Sequence, residues 1–137
     1  MNKDRIYVTE RDMNRLRQLT DARLSGHQAN PRILAQLEQE LDRAEVLDDD
    51  EIPDGVITMN SRILMQDLDS GKQRTYQLVY PAERRISGEE LSVLAPLGIA
   101  LLGYQVGSIF EAETPGGVRR LKILSLLPPA SAERKIA

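Results

Sequence analysis

The sequence predicts an α+β fold in which an antiparallel helical hairpin, a short coiled coil, precedes an antiparallel sheet wrapped around one short helix. Three observations predict it. Apolar residues recur at the spacing of a helix face as far as Leu47. From Val56 they follow the alternation of strands, punctuated by turn residues. Among the later strands stands one short run, Ile99, Ala100, Leu101 and Leu102, apolar on nearly every side and therefore suited to the interior.

The first helix is announced by Ile6, Tyr7 and Val8, then by Thr9, a good N-cap. Glu10 and Asp12 place negative charge in its first turn, where the helix dipole favours it. Asp12 stands where a capping box normally has Glu, so that box is incomplete, while Val8 and Met13 occupy the positions of a hydrophobic staple. The helix is expected over residues 10–24, with Met13, Leu16, Leu19 and Leu24 within roughly 140° of one another. Asn30 caps a second helix with Pro31 at its first position. Ile33, Leu34, Leu37, Leu41, Ala44 and Leu47 again share an arc of roughly 140°. Two such helices joined by about six residues pack as an antiparallel hairpin. At 1.5 Å per residue, about 15 residues reach about 22 Å. Asp48, Asp49, Asp50 and Glu51 then oppose the dipole at the helix end, and Pro53 and Gly55 complete the break. The expected division is residues 1–50, the hairpin, and residues 51–137, the sheet domain.

In the second part, residues 56–59, 63–68 and 73–80 read as strands. Asp69, Ser70, Gly71 and Lys72 supply a hairpin turn. Tyr76, Leu78 and Tyr80 fall on one face with Arg74. Residues 84–90 read as polar loop, and residues 91–94 lead into the short helix. Pro96 suits the first helical position, where no N–H donor is needed. Gly103 is the expected left-handed stop. Gly107 reverses the chain into a strand over residues 109–113. Pro115, Gly116 and Gly117 reverse it again into a last strand over residues 118–127, with Leu121 and Ile123 facing the core. Pro128 and Pro129 end that strand, and a loose tail follows.

Composition narrows the function. A chain of 137 residues, 41% hydrophobic and 28% charged, suits an ordinary soluble globule. A net charge of −3 provides no overall basic footprint, which argues against direct nucleic-acid binding. The five aromatics, Tyr7, Tyr76, Tyr80, Tyr104 and Phe110, are scattered, whereas base-stacking platforms group them. Without cysteine there is neither disulfide nor thiolate chemistry. No apolar stretch approaches a membrane span or a signal peptide. A cytoplasmic monomer without cofactor or metal is the expectation.

Several residues then carry a resemblance. Pro96-Leu97-Gly98-x-Ala100-Leu101-Leu102-Gly103, followed by Val106-Gly107 and by Pro115-x-Gly117, resembles the C-terminal domain of the Gre transcript-cleavage factors. Val56-Ile57-Thr58-Met59-Asn60-Ser61 and Leu78-Val79-Tyr80-Pro81 resemble a short-hairpin branch of that family linked to nucleoside diphosphate kinase regulation. The resemblance implies an FKBP-like fold for the second part and binding to bacterial RNA polymerase near its secondary channel. It implies docking through Ala95, Pro96, Leu97 and Gly98, with Ala95 in place of the family's serine and Ser108 in place of a frequent acidic residue. It further implies that the hairpin tip, here Gly26, His27, Gln28, Ala29 and Asn30, is the part that enters or caps the channel. Gre tips carry paired acidic residues that help hold Mg²⁺. This tip has no carboxylate, and Mg²⁺ wants oxygen anions. A polymerase binder without cleavage chemistry, and not an enzyme, is therefore the expectation.

Other residues fit plainer readings. His27, the sole histidine, lacks metal-ligand partners and reads as a loop residue. Residues 48–51 lack the spacing of a calcium loop and read as a solvated linker. The glycines lack the Gly-Lys-Ser/Thr of a phosphate loop and read as turns. Arg84, Arg85, Arg119 and Arg120 read as solvated surface, with acidic polymerase surface as the other use. A prolyl isomerase, and a protein acting directly on nucleoside diphosphate kinase, are the alternative functions.

Overall fold

The computed structural model describes residues 6–21, 30–81, 88–114 and 116–127. The chain enters through β1 (Tyr7–Val8), which leads directly into α1 (Glu10–Thr20). Thr9 caps α1 as its sequence position requires, its hydroxyl accepting from the Asp12 N–H at 3.2 Å. Asp21 closes the described helix, so it covers less than the expected 10–24, and residues 22–24 lie outside the described residues. Asn30 caps α2 (Pro31–Asp42), its side-chain oxygen accepting from Arg32 N–H at 2.8 Å. The stripe of α2 buries Ile33, Leu37 and Leu41 against Leu16 of α1 and the rest of the core.

Past Asp42 the structure departs from the expected helix face. Ala44 and Leu47 belong to an extended segment, where β2 (Glu45–Val46) pairs in parallel with β1. Glu45 N–H donates to Ile6 C=O at 3.0 Å and Leu47 N–H to Val8 C=O at 2.9 Å. Residues so few give no periodicity, so an extended pair and a last helical turn look alike in sequence. The acidic run forms a 3₁₀ turn (Asp49–Glu51), exposed throughout, with the Glu51 carboxylate accepting from Asp48 N–H at 3.0 Å.

Residues 56–59 are not a strand. Val56 makes one isolated bridge with Gln105. Thr58 and Ser61 then close a turn in which Ser61 Oγ accepts from Thr58 N–H at 3.0 Å, and Asn60 takes φ 70°, a left-handed conformation that asparagine tolerates. The apolar members Ile57 and Met59 are buried by this turn instead of by a ladder.

A five-stranded sheet follows, with strand order β5-β4-β3-β7-β6. β3 (Arg62–Asp67) and β4 (Gln73–Val79) form the expected hairpin. Its turn is tied by the Asp67 carboxylate, which accepts from Asp69 N–H at 2.8 Å and Ser70 N–H at 3.2 Å. β7 (Gly117–Leu127) runs antiparallel to β3, skipping Leu124 opposite the step from Leu64 to Met65, a bulge that curls the sheet. β6 (Ile109–Thr114) lies outside β7. On the other edge β5 (Glu90–Ser92), expected as the end of a loop and a lead-in, instead pairs in parallel with β4. Three residues are too few to display alternation. Over the inner face sits α3 (Pro96–Leu101), with Leu97, Gly98, Ile99 and Leu101 buried. Gly103 at φ 93° stops it, as expected.

The core does not respect the boundary drawn at residue 50. One cluster joins Ile6, Leu16, Leu37 and Leu41 to Ile57, Leu101, Leu102 and Ile123. At Gly103 an added Cβ would come within 2.7 Å of Ile6 Cγ2.

Candidate functional site

The inner face of the sheet is apolar at one end and charged at the other. Ile63, Leu78 and Ile123 are fully buried. One step along the same face come Met65, Tyr76 and Leu121, then Asp67, Arg74 and Arg119 at the turns. α3 shares one core cluster with the first group, and Leu97 in its first turn borders the second. The uncovered remainder is a groove of about 360 Å³, with Met65, Tyr76, Leu97 and Leu121 as its apolar lining and Asp67, Lys72, Arg74 and Arg119 around them. Arg119 Nε lies 3.8 Å from Asp67 Oδ2, and the Arg74 guanidinium lies 5.3 Å from the Tyr76 ring centre. Partial desolvation pulls the Asp67 carboxyl upward. The Asp69 and Ser70 N–H groups and the Arg119 charge together outweigh it, so the group stays below its ordinary value.

The segment expected to dock, Ala95, Pro96, Leu97 and Gly98, forms the lip of this groove. Pro96 is exposed at the start of α3 and Ala95, its N-cap, is half-buried. Leu97 points inward and lines the groove, with only 9% of its surface exposed. Gly98 faces the backbone of the preceding turn, where a Cβ would overlap the Ser92 carbonyl oxygen. The four residues are therefore adjacent in sequence but unequal in space: Pro96 faces solvent, Leu97 borders the groove, and Gly98 permits close packing.

Of the tip, Gly26, His27, Gln28 and Ala29 lie outside the described residues. Asn30 is exposed and occupied as a helix cap. Arg84 and Arg85 likewise lie outside the described residues; Arg120 is exposed, and Arg119 belongs to the groove. Ser108, which stands where an acidic residue is frequent, is 2% exposed and caps a turn, its hydroxyl accepting from Gln105 N–H at 3.2 Å. A carboxylate could accept the same bond.

Aromatic placement bears on the isomerase alternative. Tyr76 lines the groove, but Tyr104 and Phe110 stack on each other with centroids 4.6 Å apart. Burial and then the nearby Glu40 charge push the Tyr104 phenol up. Tyr80 is committed elsewhere: its hydroxyl donates to the buried Asp12 carboxylate at 2.6 Å, and the Arg15 guanidinium stacks 3.7 Å from its ring centre. Sequence reasoning missed this junction. An acidic first-turn residue is what any helix start favours, and nothing local marks one as buried.

Residues 52–128 match the family described as transcription elongation factor, GreA/GreB, C-terminal, and residues 4–47 match the Rnk N-terminus. The chain is 47% identical over 91 residues to the regulator of nucleoside diphosphate kinase of Escherichia coli, covering 66% of this chain and 67% of that one. It is 34% identical over 93 residues to the transcription elongation factor GreA of Syntrophus aciditrophicus, covering 68% of this chain and 58% of that protein's length. Among solved structures, the GreA/GreB elongation factor from Nitrosomonas europaea superposes with a TM-score of 0.78 at 38% identity, covering 92% of this chain and all of that one.

Proposed function

Because the chain belongs to the GreA/GreB transcription elongation factor family, with the N-terminal segment of its Rnk branch, we propose that it binds bacterial RNA polymerase near the secondary channel and regulates transcription without supporting transcript cleavage. The observation that carries the reading is the lip at Ala95, Pro96, Leu97 and Gly98, which lies inside the GreA/GreB match and borders a groove with an apolar lining and charged rim. Such a surface suits a protein partner: the apolar part supplies affinity and the rim supplies orientation. The second part serves as an FKBP-like docking domain and the paired helices as its short arm. At 1.5 Å per residue, α1 with 11 residues and α2 with 12 extend only about 17 Å each. The expected tip, Gly26, His27, Gln28, Ala29 and Asn30, carries no carboxylate for a metal.

The test is a pull-down with core polymerase, with and without a Gre factor as competitor. Binding that the Gre factor displaces, together with no stimulation of RNA cleavage in backtracked complexes, is the expected result. Absent or non-displaceable binding rejects the reading. The name of the 47%-identical relative favours a second reading, direct regulation of nucleoside diphosphate kinase. A changed rate when the purified protein is added to that kinase would support it.

A further inference from the structure

The sheet has one edge whose backbone and side chains both face outward. β6 pairs with β7 on one side, and among the described residues no strand pairs with it on the other. Ser108 C=O accepts from Ile123 N–H at 3.0 Å, so along β6 the even-numbered backbone groups turn toward β7. The N–H and C=O groups of Ile109, Glu111 and Glu113 turn away from it. These same three residues have exposed side chains, whereas Phe110 and Ala112 are buried on the opposite face.

A second copy of the chain is a poor occupant. Antiparallel self-pairing that keeps both inner faces on one side must place residues of equal parity opposite one another. Of the two registers that overlap five residues, the one centred on Glu111 opposes Glu111 to Glu111 and the one centred on Ala112 opposes Glu111 to Glu113, while the register centred on Phe110 overlaps only three residues. Either of the longer registers sets like charges face to face, which destabilises pairing and guards the edge. The strand that β6 already accepts shows the complementary pattern: β7 places Arg120 opposite Glu111 and Lys122 opposite Ile109, while its Leu121 faces inward opposite Phe110.

We infer that the free edge of β6 docks an extended protein segment that alternates basic and apolar residues, adding it to the sheet as a sixth strand. Its basic side chains lie beside Glu111 and Glu113, and its apolar ones extend the face of Phe110 and Ala112. Backbone hydrogen bonds to residues 109, 111 and 113 supply the attachment. The inference stands on the sheet edge alone and is independent of the polymerase reading.

The test uses the full chain, ¹⁵N-labelled, at low salt. It is titrated with a synthetic octapeptide of alternating lysine and valine and with a control of alternating glutamate and valine. The lysine peptide is expected to slow amide exchange at Ile109, Glu111 and Glu113, with little change at already paired Phe110 and Ala112. The double variant E111K/E113K is expected to bind it about tenfold more weakly and to gain binding of the glutamate peptide. Both substitutions are on exposed side chains, and the unchanged amide spectrum of the variant verifies its fold; E111Q/E113Q gives an intermediate loss. Absence of slowing at those amides, slowing at β5 or in the groove instead, or indifference of binding to the charge swap overturns the inference.

Discussion

The 2.6 Å hydrogen bond between Tyr80 and Asp12 joins residues 68 positions apart and ties α1 to the end of β4. Its worth lies in what its loss would expose. A buried carboxylate deprived of its donor bears a desolvation cost that an exposed one does not. Tyr80→Phe is therefore expected to lower unfolding free energy by about 1–3 kcal/mol in urea titrations, although it removes a single oxygen. A loss under about 0.5 kcal/mol would mean that water replaces the phenol. Asp67 gives a pH signature of opposite origin. Its carboxyl sits below the ordinary aspartate value in the fold, so the charged form is the one the fold favours. Its contribution is complete above the unfolded value of roughly 4 and fades as pH falls through the lower folded value. A carboxyl NMR titration should place its midpoint below that of exposed aspartates, and Asp67→Asn should flatten that part of the acid-stability curve.

At the scale of the element, α3 shows two neighbouring residues with different tasks. Gly98 allows the helix to press on the Ser92 carbonyl, and nothing larger fits. Gly98→Ala must displace backbone, so a loss of several kcal/mol, read by thermal or chemical denaturation, is expected. Pro96→Asp alters an exposed first-turn position where a carboxylate suits the helix dipole. It is expected to keep the melting temperature within a few degrees while weakening polymerase binding about tenfold, a modest interface loss. Unchanged affinity would remove Pro96 from the docking surface. Leu97 allows no such clean test, because at 9% exposure an aspartate there would also disturb the core.

For the molecule as a whole, the shared core matters more than the division in sequence. Leu37 of α2 is fully buried in the cluster that also holds Leu101 and Ile123. Removing its side chain should affect the sheet as well as the helices. Leu37→Ala is expected to cost about 2–5 kcal/mol. Its unfolding should remain one transition, with tyrosine fluorescence and helical circular dichroism losing signal together. Two separated transitions would show that the arm and the sheet domain fold independently.

Local chemistry was enough to read much of this protein. Thr9, Asn30 and Pro31 mark helix starts, Gly103 marks a helix stop, and residues 69–72 mark a hairpin, because caps and turns are satisfied within a few residues of themselves. The segment Ala95 to Gly98 stood out as a pattern of proline, leucine and glycine. Its division into an exposed residue, a groove residue and a packing residue was not. The parallel pairs β1–β2 and β4–β5, the burial of Asp12 and the groove beside Leu97 arise between segments distant in the chain. Each depends on which partner reaches a residue through space, and periodicity along a single segment carries no record of that partner.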